Sequence, residues 1–178
     1  MGIVSSKERP TEAALAAELD RLGVPFVAAG AGDVLPSPLP AAELVAALAG
    51  SREARLRLAL IPLFITRYDY ARAAPTAAEQ VSAQAWVTLT CYYTAALLLQ
   101  RKHSEHLAQL GFVSNSLPNV FGHYFDLSMA DDVDALLAHV AQRQAQMSGR
   151  PLNWLGTYEH ALNRLVRHME LEAAWAES

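Results

Sequence analysis

Six consecutive residues, Arg101-Lys102-His103-Ser104-Glu105-His106, concentrate groups that could bind phosphate, exchange protons or hold a metal. On one continuous helix Arg101 and His106 stand about 140° apart, so a shared target requires a bend or a second subunit. His103 and His106 are three apart and share a face, where they could clamp one ion, but two ligands do not complete a site. His160 and His168 lie eight apart on roughly one face, with Glu159, Arg164 and Arg167 nearby, and could join them in a centre between helices. No Glu-x-x-His pair repeats on two helices, so neither a metal nor any other cofactor is expected. Cations at the end of a helix also complement its dipole and free carbonyls, which accounts for Arg101, Lys102 and His103 without chemistry.

The remaining motifs of this kind read as structure. Asp131, Asp132 and Asp134 include a magnesium-binding type of spacing, yet no Gly-Ser turn or strand precedes them, and an acidic first helical turn explains them. Gly30-Ala31-Gly32 lacks the third glycine, the lysine and the strand of a phosphate loop. Cys91 sits mid-helix among apolar residues, where a thiol is inert. The amphipathic aromatics are the larger signal, because such side chains combine area with a polar tip and concentrate at interfaces. Tyr68, Tyr70, Phe121, Tyr124, Trp154 and Tyr158 are therefore the candidate binding residues, with a lining of the core and its rim as the structural alternative.

These side chains are carried on helices. A first helix is expected over 11–22, closed by Gly23 and Val24, and a second from Pro40 to Leu48, closed by Gly50. A third block covers 51–74 and must kink or break at Pro62. Thr76-x-x-Glu79 forms a capping-box pattern that opens a long central helix over about 76–110, stopped by Gly111. Residues 113–126 form a loop that packs aromatics and could wall a pocket. Ser128-x-x-Asp131 opens a fifth helix ending before Gly149, and a last one runs over about 153–175. The expected fold is all-α, a single-domain bundle of five to six helices over 1–178, with a flexible N-terminus at 1–10 and an irregular loop at 28–39.

Composition narrows the function classes. Hydrophobic residues make up 52% and charged ones 18%, which suits a packed core and not a disordered chain. A net charge of −4 argues against bulk nucleic-acid affinity. The single cysteine and an N-terminus without a secretory layout point to the cytoplasm. Residues 80–100 carry no formal charge, but Gln80, Ser82, Gln84, Thr88, Thr90, Thr94 and Gln100 interrupt them, so a core helix is expected and not a membrane span.

Two resemblances bear on function. Arg101-x4-His106 resembles the Arg-x4-6-His motif of HEPN-type ribonucleases, all-α proteins that act as dimers. That likeness implies metal-independent RNA cleavage, with Arg101 stabilising phosphate and His106 doing acid–base work on a 2′-hydroxyl. The layout of the helices is similar to small bacterial helical proteins that partner an enzyme, antitoxin-type chains among them. It implies a regulatory protein that acts through protein–protein contact, homodimerisation included, and neutralises a toxin-like enzyme. With no catalytic motif of high specificity, interaction or regulation is the leading reading, ahead of the ribonuclease and of a histidine-ligated metalloprotein.

Overall fold

The computed structural model describes residues 9–24, 38–112 and 115–176, so most of the expected N-terminal arm and 28–39 loop lies outside the described residues. Among the described residues the chain forms nine α-helical segments and one 3₁₀ turn, with no strand. Helix α1 (Glu12–Arg21) begins at Thr11, whose side chain accepts from the Ala14 N–H at 3.1 Å. It ends as its sequence requires, with Gly23 at φ 72° and Val24 returning an N–H to the Leu19 carbonyl at 2.9 Å. Helix α2 (Ala41–Ala49) follows Pro40 and buries Leu44 and Leu48 completely.

The block at 51–74 divides into α3 (Ala54–Leu58), α4 (Leu60–Thr66) and the start of α5 (Tyr68–Ala78). Pro62 has no N–H to return to the Leu58 carbonyl, and the helix is interrupted at Ala59, between the two. The long helix departs from expectation at both ends. Thr76 lies inside α5, which runs through Pro75, and Glu79 is the C-cap of that helix, so no capping box forms. A proline removes one donor, and a helix that already started at Tyr68 continues past it. The central helix α6 (Ala83–Lys102) instead begins at Ser82, whose hydroxyl accepts from the Ala85 N–H at 3.3 Å. It stops at His103 (φ −109°, ψ 21°), and α7 (Ser104–Gln109) is a separate turn that buries Leu107. Gly111, at φ 86°, closes α7 as the sequence implies.

Helix α8 (Val133–Ser148) starts at Asp132, not at Ser128. The Asp131 N–H closes a turn onto the Ser128 carbonyl, and the Asp132 carboxylate then accepts from the Ala135 N–H at 3.0 Å. Gly149 takes the left-handed conformation after it, at φ 65°. Helix α9 (Trp154–Ala176) completes the chain.

The bundle is built around α6, which packs chiefly on α4 and α8, while α2 packs on α5. Every residue of α6 from Leu89 to Gln100 is buried. A fully buried leucine such as Leu98 or Leu99 contributes about 1.5–3 kcal/mol. The polar residues in this run are satisfied inside the protein. Thr90 and Thr94 donate to the Trp86 and Thr90 carbonyls at 2.9 and 2.7 Å. Gln100 accepts from the Leu117 N–H at 2.8 Å and donates to the Asn115 carbonyl at 3.3 Å, which pins the following loop. No described helix is long and apolar enough to cross a membrane.

Candidate functional site

The break at His103 places Arg101 and His106 on different helices, so the single-helix angle between them does not apply. Arg101 is exposed and donates to the Met129 carbonyl at 2.8 Å. His106 is also exposed, with its Nε2 3.6 Å from Glu170. Between them Lys102 reaches Asp134 at 2.6 Å and Glu159 at 3.1 Å, tying the end of α6 to α8 and α9. Those two carboxylates, Asp134 first, hold the Lys102 ammonium above its ordinary pKa. Each of Arg101, Lys102 and His106 thus has a partner on another element at this end of α6. Elsewhere His168 pairs with Glu172 on its own helix at 3.1 Å. Among the described residues no three His, Cys, Asp or Glu side chains are grouped to hold a metal.

The His103 imidazole is perturbed by its surroundings in this cluster. Partial burial, and then the Lys102 charge, lower its pKa below the ordinary 6.5, while Glu159 and Asp134 oppose the shift and His106 adds to it. A depressed pKa means that the unfolded chain takes up the proton first, so stability is lost as pH falls below about 6.5. His103→Gln is expected to flatten the decline of Tm between about pH 7.5 and about pH 5. Equal slopes in parent and variant would contradict this assignment.

Most of the aromatic candidates are packed inside. Tyr70, Phe121, Trp154 and Tyr158 are buried, Tyr68 is half-buried, and Tyr124 is 45% exposed. A ladder of rings runs outward from the core: Phe64 meets Tyr93 at 5.1 Å, Tyr93 meets Phe121 at 5.2 Å, and Phe121 meets Tyr124 at 6.4 Å. Trp86 closes on Tyr124 edge-to-face at 4.9 Å. The loop after α7 thus packs aromatics, as its sequence suggests, by laying them on α6. Cys91 is fully buried, and burial pushes its thiol up to about 12. Iodoacetamide is expected to leave Cys91 unmodified in the native chain and to label it after unfolding, read by mass spectrometry. Rapid native labelling would contradict the buried placement.

The Arg101–His106 run lines a concavity of about 580 Å³, and a different set of residues lines another, a cleft of about 590 Å³. It lies where the turn between α2 and α3, the first turns of α6, the end of α8 and the start of α9 meet. Arg52, Arg57 and Arg150 line it, and no Asp or Glu does. No carboxylate of the described residues forms an ion pair with these three guanidinium groups. Glu12 stands behind the turn, where it accepts from the Ser51 hydroxyl at 2.6 Å and the Arg52 N–H at 3.0 Å. Arg57 Nη1 donates to the Ser51 and Arg52 carbonyls at 2.8 and 2.9 Å, which fixes its head group at the cleft. At the start of α6 the Ser82 hydroxyl takes the Ala85 N–H and the Ser82 carbonyl takes the Trp86 N–H. The Ala83 and Gln84 N–H groups are then the ones without an intrahelical acceptor, at the positive end of a 20-residue helix.

The floor of the cleft is neutral and buried. Gln144, 1% exposed, accepts a hydrogen bond from the Tyr158 hydroxyl, and Tyr92 packs edge-to-face on Tyr158 at 6.0 Å. Burial pushes the Tyr92 phenol up to about 12, so it is protonated at neutral pH, with Gln144 as its hydrogen-bond partner. Trp154 closes the side wall, its indole N–H held by the Arg150 carbonyl at 3.1 Å. Of these residues the sequence singles out Trp154 and Tyr158. Arg52 and Arg57 sit in an alternating charge run that reads as a solvated face, and Arg150 lies far away in the chain. Only the tertiary fold joins them. No family model, curated protein or solved structure matches the chain.

Proposed function

We propose that this chain is a regulatory binding protein whose receptor element is the arginine cleft, taking a ligand with an anionic group. The carrying observation is local charge. In a chain of net charge −4, one cleft gathers three guanidinium groups and a helix N-terminus with no acidic side chain in its lining. Its lining also has no His or Cys, and its phenol stays protonated, so the groups present suit binding better than proton transfer. The cleft joins parts of five helices, α2, α3, α6, α8 and α9, so a bound anion would tighten their junction. Thermal unfolding at matched ionic strength tests this reading. Sulfate at low millimolar concentration is expected to raise Tm above its value in chloride in the parent and to do so less in Arg150→Gln, since general salt effects are common to both chains. An equal rise in parent and variant would contradict it.

A second reading, protein–protein interaction, is favoured by the far end of α9. The first half of that helix is locked in the core by Trp154, Tyr158, Leu162 and Leu165, but Leu171 is 50% and Trp175 78% exposed. Large apolar side chains at i and i+4 on a projecting helix are anchors for a partner. Arg167, His168, Glu170 and Glu172 place both signs on the same turns, so an antiparallel second copy would oppose unlike charges there. Sedimentation is expected to show self-association that Leu171→Glu and Trp175→Glu remove without lowering Tm. A monomer at every concentration would contradict the homodimer, and with it the use of this face for a partner of the same kind.

A further inference from the structure

We infer that the cleft ligand is a phosphate monoester carrying an apolar organic body; this rests on the anion-binding reading above and specifies its ligand. The donors outnumber what a single carboxylate can use. Arg52 and Arg57 line the cleft from the α2–α3 side and Arg150 from the turn after α8, with the Ala83 and Gln84 N–H groups at the start of α6. A carboxylate brings one charge and two oxygens, whereas a phosphate ester brings nearly two charges and three terminal oxygens, which suit guanidinium forks and a helix N-terminus together.

The rest of the cleft is not built for an ion alone. Its volume of about 590 Å³ falls in the range of sites for small organic ligands, of order 300–1,000 Å³. Ala85, Val87, Met147 and Trp154 supply apolar wall beside the arginines. That surface gives an organic body somewhere to lie once the phosphoryl group is held; no carboxylate lines the cleft, and that of Glu12 is engaged by the Ser51 hydroxyl and the Arg52 N–H.

Calorimetric titration of the full chain with phenyl phosphate, inorganic phosphate and benzoate at low ionic strength tests this. Phenyl phosphate is expected to bind at least about tenfold more tightly than either of the other two, since it alone uses both halves of the cleft. Arg150→Gln, an exposed side chain with no structural bond of its own, should weaken phenyl phosphate by about tenfold while Tm of the free protein stays unchanged. Inorganic phosphate binding as tightly as phenyl phosphate would overturn the organic-ester inference and leave the anion cleft standing. Benzoate binding as tightly as phenyl phosphate would overturn the choice of phosphate. Failure of all three to bind would remove both readings, and phenyl phosphate affinity unaltered in Arg150→Gln would place the ligand elsewhere and overturn the inference.

Discussion

Changing Arg57 and Arg150 together to glutamine is expected to lower anion affinity by roughly 100-fold or more, the largest functional effect the structure implies. Each charge-assisted hydrogen bond is worth about 1.5–3 kcal/mol, and every 1.4 kcal/mol is about tenfold in affinity. The two residues line the cleft from α3 and from the α8–α9 turn, and because they share one bound anion their losses couple, which the single variants measure. Arg57 also holds the Ser51 and Arg52 carbonyls, so part of its effect is a loosened α2–α3 turn. Arg57→Lys separates the two roles: it keeps the charge and loses the fork, and should retain more affinity than Arg57→Gln. Equilibrium titration against sulfate or phenyl phosphate gives the result. A double variant that binds as the parent does would remove the cleft from consideration.

Tyr93→Ala is expected to destabilise the fold by about 3–5 kcal/mol, the largest structural effect, because it deletes a fully buried ring at the centre of the bundle. That ring touches Phe64 on α4 and Phe121 on the loop, at 5.1 and 5.2 Å, and its hydroxyl donates to the Pro118 carbonyl at 3.0 Å. Tyr93→Phe keeps the rings in contact and removes only the hydrogen bond, so it should cost about 1 kcal/mol. Urea denaturation of the two variants measures both costs. Hydrogen exchange should locate the loosening of Tyr93→Ala in the loop between α7 and α8. A loss below about 1 kcal/mol for Tyr93→Ala would mean that the ring ladder does not hold that loop.

Those rings also show what the sequence carries and what it withholds. Thr11, Gly23, Gly111 and Gly149 mark helix ends by backbone chemistry alone, and the structure uses each of them at the expected place. Pro62 is equally legible, since its missing donor acts on a carbonyl in its own segment. Thr76 and Glu79 mislead because a capping box is only a local preference. Here Pro75 is absorbed into α5 and Ser82 offers a competing N-cap. An aromatic side chain does not announce which way it faces. Tyr158 and Tyr124 look alike in sequence, yet one is fully buried on Gln144 and the other reaches solvent beside Trp86. The arginine cleft is the least legible feature. Arg52, Arg57 and Arg150 acquire meaning only when α3 and the end of α8 are brought against the start of α6. The histidine–arginine run, the most conspicuous chemistry in the sequence, is occupied by partners on the neighbouring elements.

Residue-resolved NMR during titration with sulfate distinguishes the two cationic regions directly. Amide shifts are expected to concentrate at Ala83 and Gln84, with the Arg57 and Arg150 side-chain signals moving on the same binding curve. Shifts centred on Arg101, Lys102 and His103, or small shifts spread evenly over the surface, would contradict this expectation.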